Sequence, residues 1–293
     1  VHDDDNPVPP RRRTRALAAA AALIAAAAGW LVWETTGGAA GPASRALGPG
    51  PAAPGPARST PSPVPPTAAP SLAGKTVVID PGHNPGNFAH PREINRLVDI
   101  GTNRKECDTT GTSTDSGYTE AAFTLDVSHR LRTLLREQGA TVTFTHDADR
   151  PYGPCIDERA RIGNAAKADA VVSLHADGSG TGNRGFHVIL PALVKGGAAD
   201  TTAIVAPSRA LGQRVAREFA LATGTAPANY VGGGTGLDVR KDLGGLNLST
   251  VPKVFIECGN MRDPKDAALL TDPAWRQKAA RGIAAGVSTY LRG

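Results

Sequence analysis

From position 71 onward, short apolar runs rich in β-branched residues alternate with longer stretches whose apolar side chains recur every three to four positions. Thr76-Val77-Val78-Ile79 is the first such run, and Asp80-Pro81-Gly82-His83-Asn84-Pro85-Gly86 ends it, which predicts a buried strand emptying into a turn-rich loop. The polar stretch beyond it, up to Gly117, has no clear period. Residues 119–138 predict a helix, with Phe123, Val127, Leu131 and Leu134 at helical spacing and Gly139 as its stop. A strand is expected over 141–145, a helix over 156–167, and a buried strand over Ala170-Val171-Val172-Ser173-Leu174-His175. Residues 185–190 predict a further strand, 208–223 a helix and 231–236 a Gly-rich loop. Val254-Phe255-Ile256-Glu257 is a last apolar strand, and a closing helix over 273–291 sets Ile283, Val287 and Leu291 four apart.

Strands alternating with helices predict an α/β domain: one twisted, mixed but mostly parallel sheet flanked by helices. In such sheets ligands gather outside the carboxyl ends of the strands. His83, His175 and Glu257 each stand at or just beyond the end of an apolar run, and Glu120 opens a helix. These polar residues are therefore expected on one edge of the sheet, as a site requires.

The segment before position 71 has a different character. Arg11-Arg12-Arg13-Thr14-Arg15 precedes an uncharged run over 16–33, the pattern of an export signal. Gly38-Ala39-Ala40 offers a small-residue cleavage site, whereas Trp30 and Trp33 would suit the interface of a retained membrane anchor. Either way, the rest of the chain is expected outside the cytoplasm, in the cell envelope or secreted. Residues 37–70 are almost wholly Gly, Ala, Pro, Ser and Thr and read as an extended spacer. The expected division is thus 1–36 signal or anchor, 37–70 disordered linker, and 71–293 the working domain.

Charge changes little. From Ser71 on there are 26 basic against 23 acidic residues, too weak and dispersed an excess for nucleic acid, where a basic stripe would be expected. Cysteine usage says more. Cys107 and Cys155 both lie in loop-like sequence and form the natural bridge in an oxidising compartment. Cys258 follows an apolar strand and reads as a buried free thiol, and no CxxC pair suggests a cysteine metal site.

Two imidazoles and one carboxylate, with a fourth position left for water, describe a catalytic zinc site. His83, Glu120 and His175 are the candidates, too far apart for a short motif such as HExxH to announce them. Longer segments are more informative. Val77-Val78-Ile79-Asp80-Pro81-Gly82-His83 resembles the opening motif of the zinc-dependent N-acetylmuramoyl-L-alanine amidases, and Ser173-Leu174-His175-Ala176-Asp177 resembles their second histidine motif. The segment from Val251 to Asn260 resembles the strand carrying their catalytic glutamate, and Glu120 falls where the family places a metal-binding one. Arg159 and Asn164 match the helix before the second histidine strand. The likeness spans roughly residues 75–291, with the motifs in the family's order.

The resemblance implies one Zn²⁺ on His83, Glu120 and His175, which would lower the pKa of a bound water towards ~7 and polarise the scissile carbonyl. Glu257 would not be a ligand; it would take the water's proton and return it to the leaving amine. Peptidoglycan is the implied partner and substrate, acted on by a monomer. Asp80 would either hold a ring nitrogen of His83 or cap its own Asp-Pro-Gly turn. Many relatives have Asn where Asp177 stands and Arg where Asn247 stands, so both positions are expected to touch substrate. The Cys107–Cys155 pair and Gly259-Asn260-Met261 resemble compact actinobacterial members built as single catalytic domains. Bland readings suit the rest: His187 as a strand residue, His90, His129 and His146 as solvated, and Gly232-Gly233-Gly234 as a loop that binds no phosphate. Two other functions fit the residue chemistry: a catalytically silent wall-binding or activator domain, and a zinc peptidase cutting within the stem peptide.

Overall fold

The computed structural model describes residues 71–293; the basic segment, the apolar run over 16–33 and the spacer over 37–70 lie outside the described residues. In chain order the strands and helices are β1 (Thr76–Pro81), α1 (Pro91–Ile94), β2 (Leu97–Asp99), β3 (Arg104–Glu106), α2 (Glu120–Glu137), β4 (Thr141–Phe144) and α3 (Ile156–Ala165). Next come β5 (Ala170–Asp177), β6 (His187–Pro191), the short pair β7 (Lys195–Gly196) and β8 (Ala199–Asp200), α4 (Val205–Thr223) and β9 (Leu237–Arg240). The last four are α5 (Gly244–Asn247), β10 (Lys253–Asn260), α6 (Pro264–Thr271) and α7 (Pro273–Arg292). None of the described helices is long and apolar enough to cross a membrane.

Six strands form one sheet in the order β4-β1-β5-β10-β6-β9. The β4-β1-β5-β10 portion is parallel, β6 runs antiparallel to β10, and β9 runs parallel to β6. The expected mixed, mostly parallel sheet is therefore present. Side chains alternate between the two faces with period two, and this alternation separates packing from chemistry. Val77 and Ile79 of β1, Leu174 and Ala176 of β5, and Ile256 and Cys258 of β10 face one way, into the main core with α2, α4 and α7. Val78 and Val171 face the other way, against Ile162, Ala166 and Val251 beside α3. Along that second face Lys253 stands at the start of β10, and towards the carboxyl ends come Asp80, Ser173, His175 and Glu257, with Phe255 among them.

Helix α2 carries the link between sheet and site. Thr119 caps it, its hydroxyl accepting from Ala122 N–H. Its buried stripe is Phe123, Val127, Leu131 and Leu135; Leu135, four residues on, takes the place expected of Leu134, which is only partly buried. Each of these buried side chains contributes about 1.5–3 kcal/mol, so the start of α2, and with it Glu120, is fixed against the sheet.

Several elements had no sequence signal. The stretch up to Gly117 holds the β2-β3 hairpin, paired from Leu97↔Glu106 to Asp99↔Arg104. The Gly-rich segment is a 3₁₀ turn over Gly232–Gly234 that leads into β9, and α6 begins at Pro264 with Asp263 as its cap. His146, expected in solvent, is buried: its Nε2 lies 3.0 Å from Pro81 O and its Nδ1 accepts from Ala148 N–H. It braces the end of β1, and its burial lowers its pKa.

Cys107 and Cys155 are bonded to each other, and Cys258 is a buried free thiol in β10. The disulfide joins the end of the hairpin to the N-cap of α3. Removing it with the paired Cys107→Ala and Cys155→Ala changes is expected to cost about 2–4 kcal/mol in the chain-entropy view. Urea unfolding of the double variant beside the parent measures this, and an unchanged midpoint would contradict a stabilising role.

Candidate metal centre and hydrolytic cleft

The cluster is assembled where β1, β5 and β10 end. Gly82 brings the chain out of β1 hard against β5: its N–H donates to Leu174 O at 2.9 Å, and a Cβ there would fall 2.5 Å from His175 Cε1. His83 follows in the left-handed region, at φ 61°, which costs a non-glycine residue about 1–2 kcal/mol. Arg159 offsets that strain from below, donating to Pro81 O at 2.6 Å and to His83 O at 3.2 Å. Gly111 closes the top, because a Cβ at its φ of +73° would stand 2.7 Å from His83 Cδ2 and 2.9 Å from Glu120 Oε2.

Glu120 reaches over the edge from the first turn of α2. Its Oε2 lies 3.1 Å from His83 Nε2 and its Oε1 lies 3.0 Å from His175 Nδ1. Backbone N–H groups of Thr112 and Ala176 donate to the same two oxygens and fix the carboxylate plane. The other ring nitrogen of His83, Nδ1, lies 3.1 Å from Thr109 O and 3.4 Å from Asp108 Oδ1, an arrangement that favours the Nδ1–H tautomer and leaves Nε2 as a ligand atom. One donor atom from each of His83, Glu120 and His175 lies within 4.8 Å of the others, so the three can hold a metal ion.

The field in this cluster favours a cation. Burial alone would depress the His83 pKa, but the Glu120 carboxylate and the hydrogen bond to Asp108 carry it up to about 10. Burial would likewise raise Glu120, yet the two imidazoles hold it well below the usual carboxylate range. Glu257 behaves in the opposite way. It pairs in register with His175, its Oε2 is buried without a partner, and burial followed by repulsion from Glu120 and Asp177 raises its pKa well above the ordinary value. An unpaired, proton-seeking carboxylate thus shares one cleft of about 320 Å³ with the three side chains that could hold a metal ion.

Asp80 has neither expected role. Its Oδ1 accepts from Thr145 Oγ1 at 2.7 Å and Arg159 Nη1 at 2.8 Å, and its Oδ2 from Ser173 Oγ at 2.9 Å and Lys253 Nζ at 3.0 Å. It touches neither His83 nor its own turn; strand pairing turns its side chain under the sheet edge, towards α3. Burial would raise its pKa, but Lys253 and Arg159 outweigh that and hold it far below the normal range. Asp108, which the sequence did not single out, takes the place next to His83 and is itself held by Arg159 at 2.9 Å.

The remaining expectations divide. Asp177 lines the cleft and accepts from Tyr230 O–H at 2.8 Å. Asn247 is buried instead: its Nδ2 donates to Lys241 O at 3.0 Å, and it lines neither the metal cleft nor the cavity beside it. It holds the turn of α5 rather than facing substrate. His187 is buried in β6 and stands outside the metal cluster. Lys253, only 1% exposed, was missed although a signal existed: a lysine inside an apolar run, at the same parity as Phe255 and Glu257, must share their face.

Comparison with known proteins agrees with this geometry. Residues 77–289 match the N-acetylmuramoyl-L-alanine amidase family. The N-acetylmuramoyl-L-alanine amidase Rv3717 of Mycobacterium tuberculosis is 41% identical over 222 residues, covering 75% of this chain and 88% of the relative. The crystal structure of the N-acetylmuramyl-L-alanine amidase Ami1 from Mycobacterium smegmatis superposes with a TM-score of 0.68 at 39% identity, covering 75% of this chain and 98% of that one. For the apo form of Ami1 from Mycobacterium abscessus the TM-score is 0.69 at 40% identity, covering 75% and 100%.

The residues beneath His83 generate two expected outcomes. Asp108→Asn removes the acceptor beside His83 Nδ1 and should weaken metal-ion binding at this cluster about ten- to a hundredfold; competition against a chelator reads this, and unchanged affinity would contradict the assignment. Asp80→Asn breaks a buried ionic pair and should cost about 3–5 kcal/mol near neutral pH. Because the folded pKa of Asp80 is depressed, its stabilisation is complete above the unfolded value of ~3.9 and is lost as pH falls towards the folded value. The stability gap between the parent and Asp80→Asn should therefore narrow below about pH 4, and a gap independent of pH would contradict the pairing.

Proposed function

The chain belongs to the N-acetylmuramoyl-L-alanine amidase family, and from this premise we propose that it hydrolyses the amide between N-acetylmuramic acid and the L-alanine of the stem peptide, with Glu257 as the proton carrier beside a zinc ion on His83, Glu120 and His175. The observation that carries the reading is the convergence of those three donors with the unpaired Oε2 of Glu257 in one cleft. Two imidazoles and one carboxylate suit Zn²⁺, and three protein ligands leave a position for water, as a catalytic rather than a structural site requires. A Ca²⁺ or Mg²⁺ site would call for an all-oxygen set.

When bound, zinc supplies Lewis acidity, which makes water a nucleophile near neutral pH and polarises a carbonyl oxygen. The chain's own residues do the rest. Glu257 accepts the proton of the attacking water at its free Oε2, where burial has already raised its affinity for protons. It then donates that proton to the departing L-alanine nitrogen, so that an amine rather than an amide anion leaves. Asp108 and Thr109 keep His83 in one ring orientation throughout, and Phe255, stacked on His175 with centroids 5.2 Å apart, keeps the second imidazole in its plane. Tyr230 holds Asp177 at the rim of the cleft, where it is available to substrate.

Peptidoglycan lies outside the cytoplasmic membrane. We assign residues 1–36 to export or anchoring, residues 37–70 to a spacer, and residues 71–293 to the working domain acting as a monomer in the cell envelope. The wall-remodelling role follows from the substrate.

Digestion of purified peptidoglycan by zinc-loaded protein should release free stem peptides with L-alanine at the new amino terminus. Internal peptide cuts would overturn the assignment in favour of a peptidase, and intact wall with bound protein would mark a silent binding domain. Glu257→Ala should keep its zinc by elemental analysis yet lose at least about a hundredfold in turnover. His175→Ala should lose the zinc itself.

A further inference from the structure

We propose that the groove beside the metal centre, walled by Phe88 with Pro85, Thr110 and Ser113, binds the glycan strand of the substrate, with one N-acetylhexosamine ring stacked on Phe88. The assignment rests on the amidase reading and names which side of the cleft the sugar takes.

Phe88 is 77% exposed. A lone exposed apolar side chain is ordinary; the way this one is held is not. It sits in a 3₁₀ turn over Asn87–Ala89, between the metal-binding loop and α1. Asn84 and Asn87, the side chains before it, are both buried. Asn84 Nδ2 donates to Gly153 O at 2.9 Å, and Asn84 Oδ1 accepts from Gly86 N–H at 2.8 Å. Asn87 Nδ2 donates to Thr109 O at 2.7 Å, and Asn87 Oδ1 accepts from Gly153 N–H at 2.9 Å. The turn is therefore stiff and presents the ring to solvent with little conformational freedom left to lose on binding.

Phe88 lines a groove of about 450 Å³ with Asn84, Pro85, Thr110, Thr112 and Ser113 among its walls. Gly111 and Thr112 line the metal cleft as well, so the groove and the cleft share the wall formed by this short segment. Ser113 engages Arg262 through its carbonyl and keeps its hydroxyl for a ligand, whereas the Thr112 side chain packs against Gly178 on the metal-cleft side. No charged side chain lines this groove. An aromatic face beside neutral hydroxyls matches a pyranose, which has an apolar C–H face and a polar rim.

A second cavity that shares His83, Thr109, His175, Leu243 and Phe255 with the metal cleft differs in kind. That cavity, about 240 Å³, is walled by Lys105, Glu106, Asp108 and Asp242 together with Phe255 and Leu243. Charges beside an apolar wall suit a peptide that bears its own charges. The scissile bond has the same polarity: its carbonyl belongs to the sugar's lactyl group and its amine to the peptide. Glu257, which would protonate that amine, lines the metal cleft together with Phe255, and Phe255 continues into the second cavity. The lining chemistry assigns the peptide to that cavity and the sugar to the groove at Phe88.

The test compares the zinc-loaded full chain with its Phe88→Ala and Phe88→Trp variants on glycan oligomers that carry stem peptides, with peptide-free glycan strands as competitive inhibitors. Phe88→Ala should raise KM and weaken inhibition by the bare strands, each about three- to tenfold, with kcat and the melting temperature unchanged. Phe88→Trp, which keeps an aromatic face, should remain within about twofold of the parent. An active parent whose Phe88→Ala variant matches it in both KM and inhibition would overturn the glycan subsite while leaving the amidase reading intact. A parent that releases no stem peptide from any of these substrates would overturn the amidase reading, and the subsite with it.

Discussion

Beneath the cleft a file of ionisable side chains runs from the centre of the sheet to the first metal-site histidine: Lys253, Asp80, Arg159, Asp108 and His83, each within ion-pair reach of the next. The signs alternate, and the first four are almost wholly excluded from solvent. Two unit charges about 3 Å apart at an effective dielectric near 20 attract by about 5 kcal/mol, but removing each ion from water costs several kcal/mol. The two effects nearly cancel, so net stability does not explain the file. Its physical consequence is position. No member can move without leaving a neighbour buried and unpaired, and the strained backbone of His83 is held by the guanidinium of Arg159 in the middle of the file.

Strand alternation makes this arrangement compatible with a packed core. On β5 and β10 each side chain that serves the cleft is followed by one that serves the core: Ser173 then Leu174, His175 then Ala176, Phe255 then Ile256, Glu257 then Cys258. A shift of register by one residue would bury the reactive groups and expose the apolar ones. The metal cleft thus inherits its precision from the hydrophobic core on the far side of the same strands, and Glu120 is added from α2, whose buried stripe fixes it against that core.

This explains what was legible in the sequence. His83, His175 and Glu257 each terminate an apolar run, and their place at the carboxyl edge follows from the α/β pattern alone. Glu120 was legible as the opening of a helix with a clear apolar stripe. Asp108 was not, because it lies in a stretch without period and meets His83 only through the hairpin, the disulfide and Arg159. For Asp80, proximity in sequence suggests His83 or its own turn, whereas pleating turns its side chain under the sheet to Lys253, distant along the chain. Asn247 is expected against substrate from the resemblance and His146 in solvent from its loop context, and tertiary packing buries both. Local pattern identifies which residues reach the edge; it does not say which of them meet.

The claim on which the rest depends is that three side chains grip a single zinc ion while Glu257 stays free. Anomalous diffraction at the zinc absorption edge, on crystals of zinc-loaded protein, tests it most directly. The expected map has one strong peak within bonding distance of His83 Nε2, a Glu120 carboxylate oxygen and His175 Nδ1, with Glu257 too far from it to be a ligand. A peak bound by Glu257, or one lodged elsewhere with the cluster empty, would contradict it.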